Sequence, residues 1–260
     1  MSKGGVMRIT FLGTGTSCGV PVIGCRCEVC QSSNAKDRRL RCSILVETEQ
    51  TRLLVDCGPD FRQQILPQPF RRIDGILITH SHYDHVGGMD DVRPYCQFGE
   101  INVYADPLAR RGMLEMLPYC FAENRYPGVP AIGLHEIHAG EAMTIGDISF
   151  LPFQVMHGKL PILGYRFGRF AYITDMKTIG DDQARLLEGV ETLVVNALRF
   201  DRPHHSHQLV GDAVAFARQI GARRTLLTHV CHDIGLHDEV NSRLLPPGVE
   251  LAYDGQVLTV

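Results

Sequence analysis

His80-Ser81-His82-Tyr83-Asp84-His85, directly after the apolar run Gly75-Ile76-Leu77-Ile78-Thr79, is the stretch on which the fold turns. Three imidazoles and one carboxylate fall within six residues at the end of a predicted buried strand. Burying so many polar groups unpaired would be costly, whereas neutral imidazoles and carboxylates are ordinary ligands of zinc, manganese or iron. If the chain leaves the strand at His80 and enters a helix near Asp84, His80 and His82 project to one point and Asp84 and His85 to a neighbouring one. Such a cluster can serve two ions about 3.5–4 Å apart, close enough to activate one shared hydroxide. A helix start near Asp84 also suits an anionic group. The spacing predicts a dinuclear hydrolase centre.

The H-x-H-x-D-H pattern after a strand resembles the metallo-β-lactamase fold superfamily, and further residues of that family's pattern follow at the ends of apolar, β-rich runs. Leu53-Leu54-Val55 ends in Asp56, Phe150 to Met156 ends in His157, Phe170 to Thr174 ends in Asp175, and Thr225 to Thr228 ends in His229. The resemblance implies that His80, His82 and His157 hold one divalent cation and Asp84, His85 and His229 the other, with Asp175 and a hydroxide bridging. It also implies that Asp56 is no ligand but orients a histidine, as metal sites usually require. The fold implied is α/β (α+β), a four-layer αββα sandwich of two mixed sheets face to face, with helices outside and the metals at one edge. The His and carboxylate set suits Mn2+ and Zn2+ alike.

The chain has 260 residues, which a layered α/β fold can fill as one unit, so one domain is expected over residues 6–260 behind a loose leader at 1–5. Hydrophobic content of 44% and charged content of 21% are ordinary for a soluble globular protein, and no repeat or low-complexity block stands out. No run approaches the ~18 apolar residues of a membrane span, and the leader lacks an apolar secretion core, so the cytoplasm is the expected compartment. A net charge of −3 argues against a large nonspecific nucleic-acid surface. The basic pairs Arg38-Arg39, Arg71-Arg72, Arg110-Arg111 and Arg223-Arg224 read as solvated faces.

Nine cysteines cannot all pair into disulfides, so a reducing compartment is the simpler reading. Cys25-Arg26-Cys27-Glu28-Val29-Cys30 is a C-x-C-x-x-C knuckle that can present three thiolates to one structural Zn2+ but lacks a fourth ligand. His232, three residues after His229, is the preferred fourth. Cys231 is the alternative, but on an extended segment it faces away from its neighbour. Cys18, Cys42, Cys57, Cys96 and Cys120 read as small buried or half-buried hydrophobes.

The strand and glycine-rich turn from Phe11 to Pro21 are no P-loop, since no Gly-Lys-Ser/Thr follows. Together with the knuckle they resemble the phosphodiesterase branch of the superfamily, and closely the PhnP-type cyclic phosphodiesterases. That resemblance supports the Cys25, Cys27, Cys30 and His232 zinc, and implies a homodimer and a small, cyclic phosphodiester substrate. It makes His207 the proton donor to the leaving oxygen, a task suited to an imidazole near neutrality, with His204 and His205 as competing candidates. Lys159 matches the family too and is suited to neutralising a phosphate oxygen; with Asp84 and His207 it completes the catalytic set. The resemblance runs over nearly the whole chain but does not fix the insert between roughly Arg93 and His138, expected to shape the pocket mouth and able to change the substrate. There Tyr95, Phe98, Tyr119, Phe121 and Tyr126 read as core rather than as a stacking platform. Rival readings are tRNA 3′ processing of the ribonuclease Z kind, thioester or lactone hydrolysis, and a noncatalytic metal-binding module.

Overall fold

Most strands of this chain are apolar on both faces, the pattern of sheets covered on both sides. The computed structural model describes residues 6–122 and 126–260. In chain order the strands are β1 (Arg8–Gly13), β2 (Ser43–Glu47), β3 (Arg52–Val55), β4 (Gly75–Leu77), β5 (Ile101–Ala105), β6 (Ile132–Glu136) and β7 (Met143–Ile145). Then follow β8 (Ile148–His157), β9 (Leu160–Phe167), β10 (Phe170–Tyr172), β11 (Thr192–Asn196), β12 (Arg224–Thr228), β13 (Val249–Leu251) and β14 (Val257–Thr259). They form two seven-stranded sheets, ordered β14-β1-β2-β3-β4-β5-β6 and β13-β12-β11-β10-β9-β8-β7. Both are mixed: pairing is antiparallel from β14 to β3 and from β7 to β10, and parallel from β3 to β6 and from β10 to β13.

The period of two along each strand assigns side chains to layers. In β3, Leu53 and Val55 point into the slab between the sheets, where they join Phe150, Tyr165, Phe167 and Tyr172 of the second sheet. Leu54 points the other way, into a core with Phe61, Met89 and Met113 from helical segments outside the first sheet. In β12, Leu226 faces the slab and Leu227 the outer core, which Val210, Ala213, Phe216 and Ala217 of the helix Val210–Ile220 close. Each fully buried Leu, Ile or Phe contributes roughly 1.5–3 kcal/mol, so these three cores carry the stability of the layers. The result is the expected four-layer αββα sandwich.

Several expectations need correction. The first strand begins at Arg8, and Val6, the first described residue, is 73% exposed. Residues 93–138 are more than an insert: their described part supplies β5, β6 and the helices Pro107–Met116 and Pro118–Phe121. Of their aromatics, Tyr95 is core and Phe121 packs partly against it, whereas Phe98, Tyr119 and Tyr126 are exposed. Cys18 is exposed, not half-buried. Arg39 is buried rather than solvated, because its guanidinium donates to Thr14 Oγ1 at 2.8 Å and to the Ala252 carbonyl at 2.5 Å and lies 3.2 Å from His237 Nδ1. The expected leader at 1–5 lies outside the described residues. Among those described, no helix is long and apolar enough to cross a membrane.

Candidate metal centre

The parallel strands β3, β4, β10, β11 and β12 deliver their carboxyl ends to one edge, the usual place for a site in a sheet of this kind. Asp56 follows β3, Asp175 lies just beyond β10, His229 follows β12, and β8 ends on His157. The loop after β4 carries His80, and His82 caps the short helix Tyr83–Val86, which holds Asp84 and His85 in its first turns.

These side chains converge as two groups. Ligand atoms of His80, His82 and His157 lie within 4.8 Å of one another, as do those of Asp84, His85 and His229. His80 Nε2 is 3.0 Å from His82 Nδ1 in the first. In the second, His85 Nε2 is 3.2 Å and His229 Nε2 3.8 Å from Asp84 Oδ2. Asp175 stands between the groups: its Oδ2 is 3.2 Å from His85 Nε2, its Oδ1 3.1 Å from His229 Nε2, and it clusters with His80 as well.

Supporting groups aim the imidazoles. Asp56, fully buried, accepts from the Thr79 amide at 2.8 Å and the Thr79 hydroxyl at 2.9 Å, and meets His85 Nδ1 at 2.8 Å. His85 is thereby left with Nε2 toward the centre, the orienting arrangement common in metal sites. His157 donates from Nδ1 to the Ser206 carbonyl at 3.0 Å, and His80 Nδ1 lies 3.0 Å from Thr79 Oγ1. Three strand-end residues also hold left-handed backbone: Asp56 at φ 61°, Asp175 at φ 57° and His229 at φ 53°. For residues other than glycine this costs of order 1 kcal/mol each, and it turns each side chain back over the sheet edge.

The protonation states suit cations. Burial, then His85, pushes His80 well below its usual range, and burial with His157 lowers His82. Burial opposes ionisation of Asp175, yet His229 and His85 hold it well below the usual carboxylate range. His85 is the exception: burial would lower it, but Asp56, Asp84 and Asp175 raise it well above the usual imidazole value. A buried cation is therefore already called for by the carboxylates. Buried His85 Nε2 and both ring nitrogens of His229 make no hydrogen bond. Unbonded buried polar atoms facing carboxylates fit divalent cations, as does the His and Asp donor set.

A second cluster lies elsewhere. The thiols of Cys25, Cys27 and Cys30 lie 3.2, 3.3 and 3.5 Å from one atom, His232 Nδ1. Amides of Val22, Cys27 and Cys30 donate to sulfurs of the knuckle; the Cys27 amide lowers the Cys25 thiol, while burial pushes the Cys30 thiol up to about 11. Three sulfurs and one imidazole fit a tetrahedral structural zinc. Cys231 turns away, with Sγ 3.9 Å from Asp233 Oδ2.

Beside the first histidine group opens a cleft of about 600 Å³ lined by His82, His157, Lys159, Lys177, His205 and Ser206, among others. Lys159 is thus at the centre's edge, and so is Lys177, which sequence reasoning missed; its Nζ donates to the His207 carbonyl at 3.1 Å. The available signal was its position in the sequence, two residues after Asp175. His207 is buried, with Nδ1 3.7 Å from Asp175 Oδ1 and its ring 4.7 Å from that of His157. His204 is half-buried next to it and His205 exposed. Burial, then His229, pushes His207 down to about 3, so in the free site it is a neutral imidazole.

Comparison with known proteins agrees with this geometry. A family model described as a beta-lactamase superfamily domain matches residues 51–230, from the strand before Asp56 to just past His229. The chain belongs to the metallo-β-lactamase superfamily. A solved structure described as a new diphosphatase from the PhnP family is similar to this superfamily member at 39% identity and a TM-score of 0.90, over 98% of this chain and 97% of that one. That likeness carries the membership down to the PhnP family. Zn(2+)-bound PqqB from Methylobacterium extorquens shares the fold, with a TM-score of 0.76 at 21% identity over 97% of this chain and 100% of that one. Among curated proteins, the octanoyltransferase of Porphyromonas gingivalis is 42% identical over 250 residues, 96% of this chain but 51% of the relative. This superfamily member spans about half the length of the curated relatives it matches, so their names do not transfer to it.

Proposed function

We propose that this chain is a metal-dependent hydrolase of small phosphodiesters, cyclic ones included, with His80, His82, His157, Asp84, His85, His229 and Asp175 as ligands of two divalent cations. The observation that carries the reading is Asp175 standing between two three-ligand groups, beside a cleft with two lysines. Bound cations would supply water activation near neutral pH and charge neutralisation at phosphate oxygens. The chain's own groups do the rest. Lys159 and Lys177 receive the substrate's anionic oxygens, and the orientation held by Asp56 keeps the His85 lone pair toward the centre. His207 takes up a proton when an anionic phosphate arrives, since a nearby negative charge raises an imidazole held at about 3. A proton on Nδ1, the ring atom that faces Asp175, then passes to the departing oxygen.

The name of the PhnP-family relative favours a second substrate class for the same site, diphosphate anhydrides. Both classes present a phosphorus centre with an anionic oxygen and a leaving oxygen, so one panel separates them. Turnover with added Mn2+ or Zn2+ is measured on bis(p-nitrophenyl) phosphate, a cyclic phosphodiester, a nucleoside diphosphate, a thioester and precursor tRNA. The reading expects the small phosphorus substrates to be cleaved well ahead of the last two, and preference for the thioester or the tRNA overturns it. His207→Ala should slow substrates with poor leaving groups at least tenfold more than the nitrophenyl ester, which needs little protonation. Equal slowing removes His207 as the acid.

A further inference from the structure

We infer that Gly112 is a positioning residue for His80 and His82, acting through Ser81; the inference rests on the reading of those two histidines as metal ligands. The helix Pro107–Met116 starts where the Asp106 carboxylate accepts from the Ala109 amide at 2.7 Å. Ala109, Gly112, Met113 and Met116 fall at i, i+3, i+4 and i+7 and so share the face turned to the core. Ala109 and Met113 are buried there, and Met116 packs against the same cluster. By that pattern position 112 calls for an apolar side chain. It carries glycine, the poorest helix former after proline.

Ser81 supplies the reason. A Cβ on Gly112 would overlap Ser81 Oγ and lie 2.6 Å from Ser81 Cβ, and nothing else outside the helix's own backbone comes within 4 Å of it. The collision is therefore with one residue, the one that links His80 to His82. The facing nitrogens of those two rings are 3.0 Å apart, so a retreat of Ser81 swings one or both off the shared point. The helix cannot yield instead, because Met113 anchors it with no exposed surface. The helix Pro107–Met116 thus forms the wall against which the ligand loop is set.

The test compares wild-type protein, Gly112→Ala, Ser81→Gly and the double variant. Each is stripped of exchangeable metal, its thermal midpoint recorded, and then titrated with Zn2+ or Mn2+ in competition with a chelator. Alanine favours a helix by about 0.5–1 kcal/mol, which offsets part of the cost of displacing Ser81, so the metal-free midpoint of Gly112→Ala should fall only modestly and recover in the double variant. Its affinity for one of the two catalytic cations should nevertheless fall about 10-fold or more, the usual effect of disturbing the groups behind metal ligands. Ser81→Gly alone sets the binding level of a loop without a side chain at position 81, and added to Gly112→Ala it should bring binding back to that level, because it removes both atoms that collide. Wild-type affinity in Gly112→Ala overturns the inference, as does a double variant that binds no better than Gly112→Ala or a metal-free midpoint that falls without rescue. Absence of catalytic cation binding in the wild-type protein would instead overturn the ligand reading, and this inference with it.

Discussion

Replacing Asp56 by asparagine should weaken cation binding while leaving the fold in place. The two side chains have nearly the same shape, and asparagine, like aspartate, tolerates the left-handed backbone at this position, φ 61°. The Asn carbonyl can still accept from the Thr79 amide, now 2.8 Å from Asp56 Oδ1. Its NH2 would take the place of Oδ2, which lies 2.8 Å from His85 Nδ1. A donor would then face a donor, and the imidazole, charged in the wild-type free site, would relieve this by giving up its Nδ1 proton and keeping the one on Nε2, the atom that points at Asp84 and Asp175. A protonated Nε2 has no lone pair to offer. Restoring it forfeits one buried hydrogen bond and leaves a donor unmatched, a loss of about 1–3 kcal/mol. At 1.4 kcal/mol per factor of ten, the affinity for the cation that His85 serves should drop about 5- to 150-fold. Calorimetric or chelator-competition titration reads the affinity, and nitrogen-detected NMR of the imidazoles reads the tautomer. Unchanged affinity with His85 still protonated on Nδ1 would refute the reasoning.

Two further outcomes are expected away from the catalytic centre. Cys27→Ala should lower zinc content by about one per chain and lower the thermal midpoint, since three thiolates and His232 tie the knuckle to the segment after β12; unchanged zinc content counts against that site. His237, buried beside Arg39 and pushed down to about 4 by burial and then by that guanidinium, is neutral in the folded chain but protonates near 6.5 when unfolded. The unfolded state therefore binds the extra proton between those values, and stability is lost as pH falls from about 6.5 toward 4, by up to about 3 kcal/mol. Urea unfolding midpoints of wild type and His237→Gln between pH 7 and 4.5 check this. Equal pH slopes for the two proteins would show that His237 is not the group responsible.

Chemistry confined to a few neighbouring residues is legible in the sequence. The spacing of His80, His82, Asp84 and His85 and that of Cys25, Cys27 and Cys30 are set by covalent geometry, and a strand or a turn can present such neighbours in few ways. The layers are legible too, because β3 and β12 alternate their apolar side chains between two cores. Arg39 shows where legibility stops. In sequence it is half of a basic pair, yet its partners Thr14, Ala252 and His237 come from 25, 213 and 198 residues away, and nothing local announces them.

Left to itself, the sequence determined the donor inventory, the strand-end placement of each donor and, through the family it resembles, the sandwich. Tertiary structure alone decided that Lys177 lines the cleft beside the two ligand groups, and that Asp56, Asp175 and His229 turn through left-handed backbone to reach them. It also decided that Gly112 stands against Ser81. The physical reason is that periodicity and spacing act along the chain, whereas close approach between distant segments depends on how two sheets and their helices pack, a sum over many small contacts.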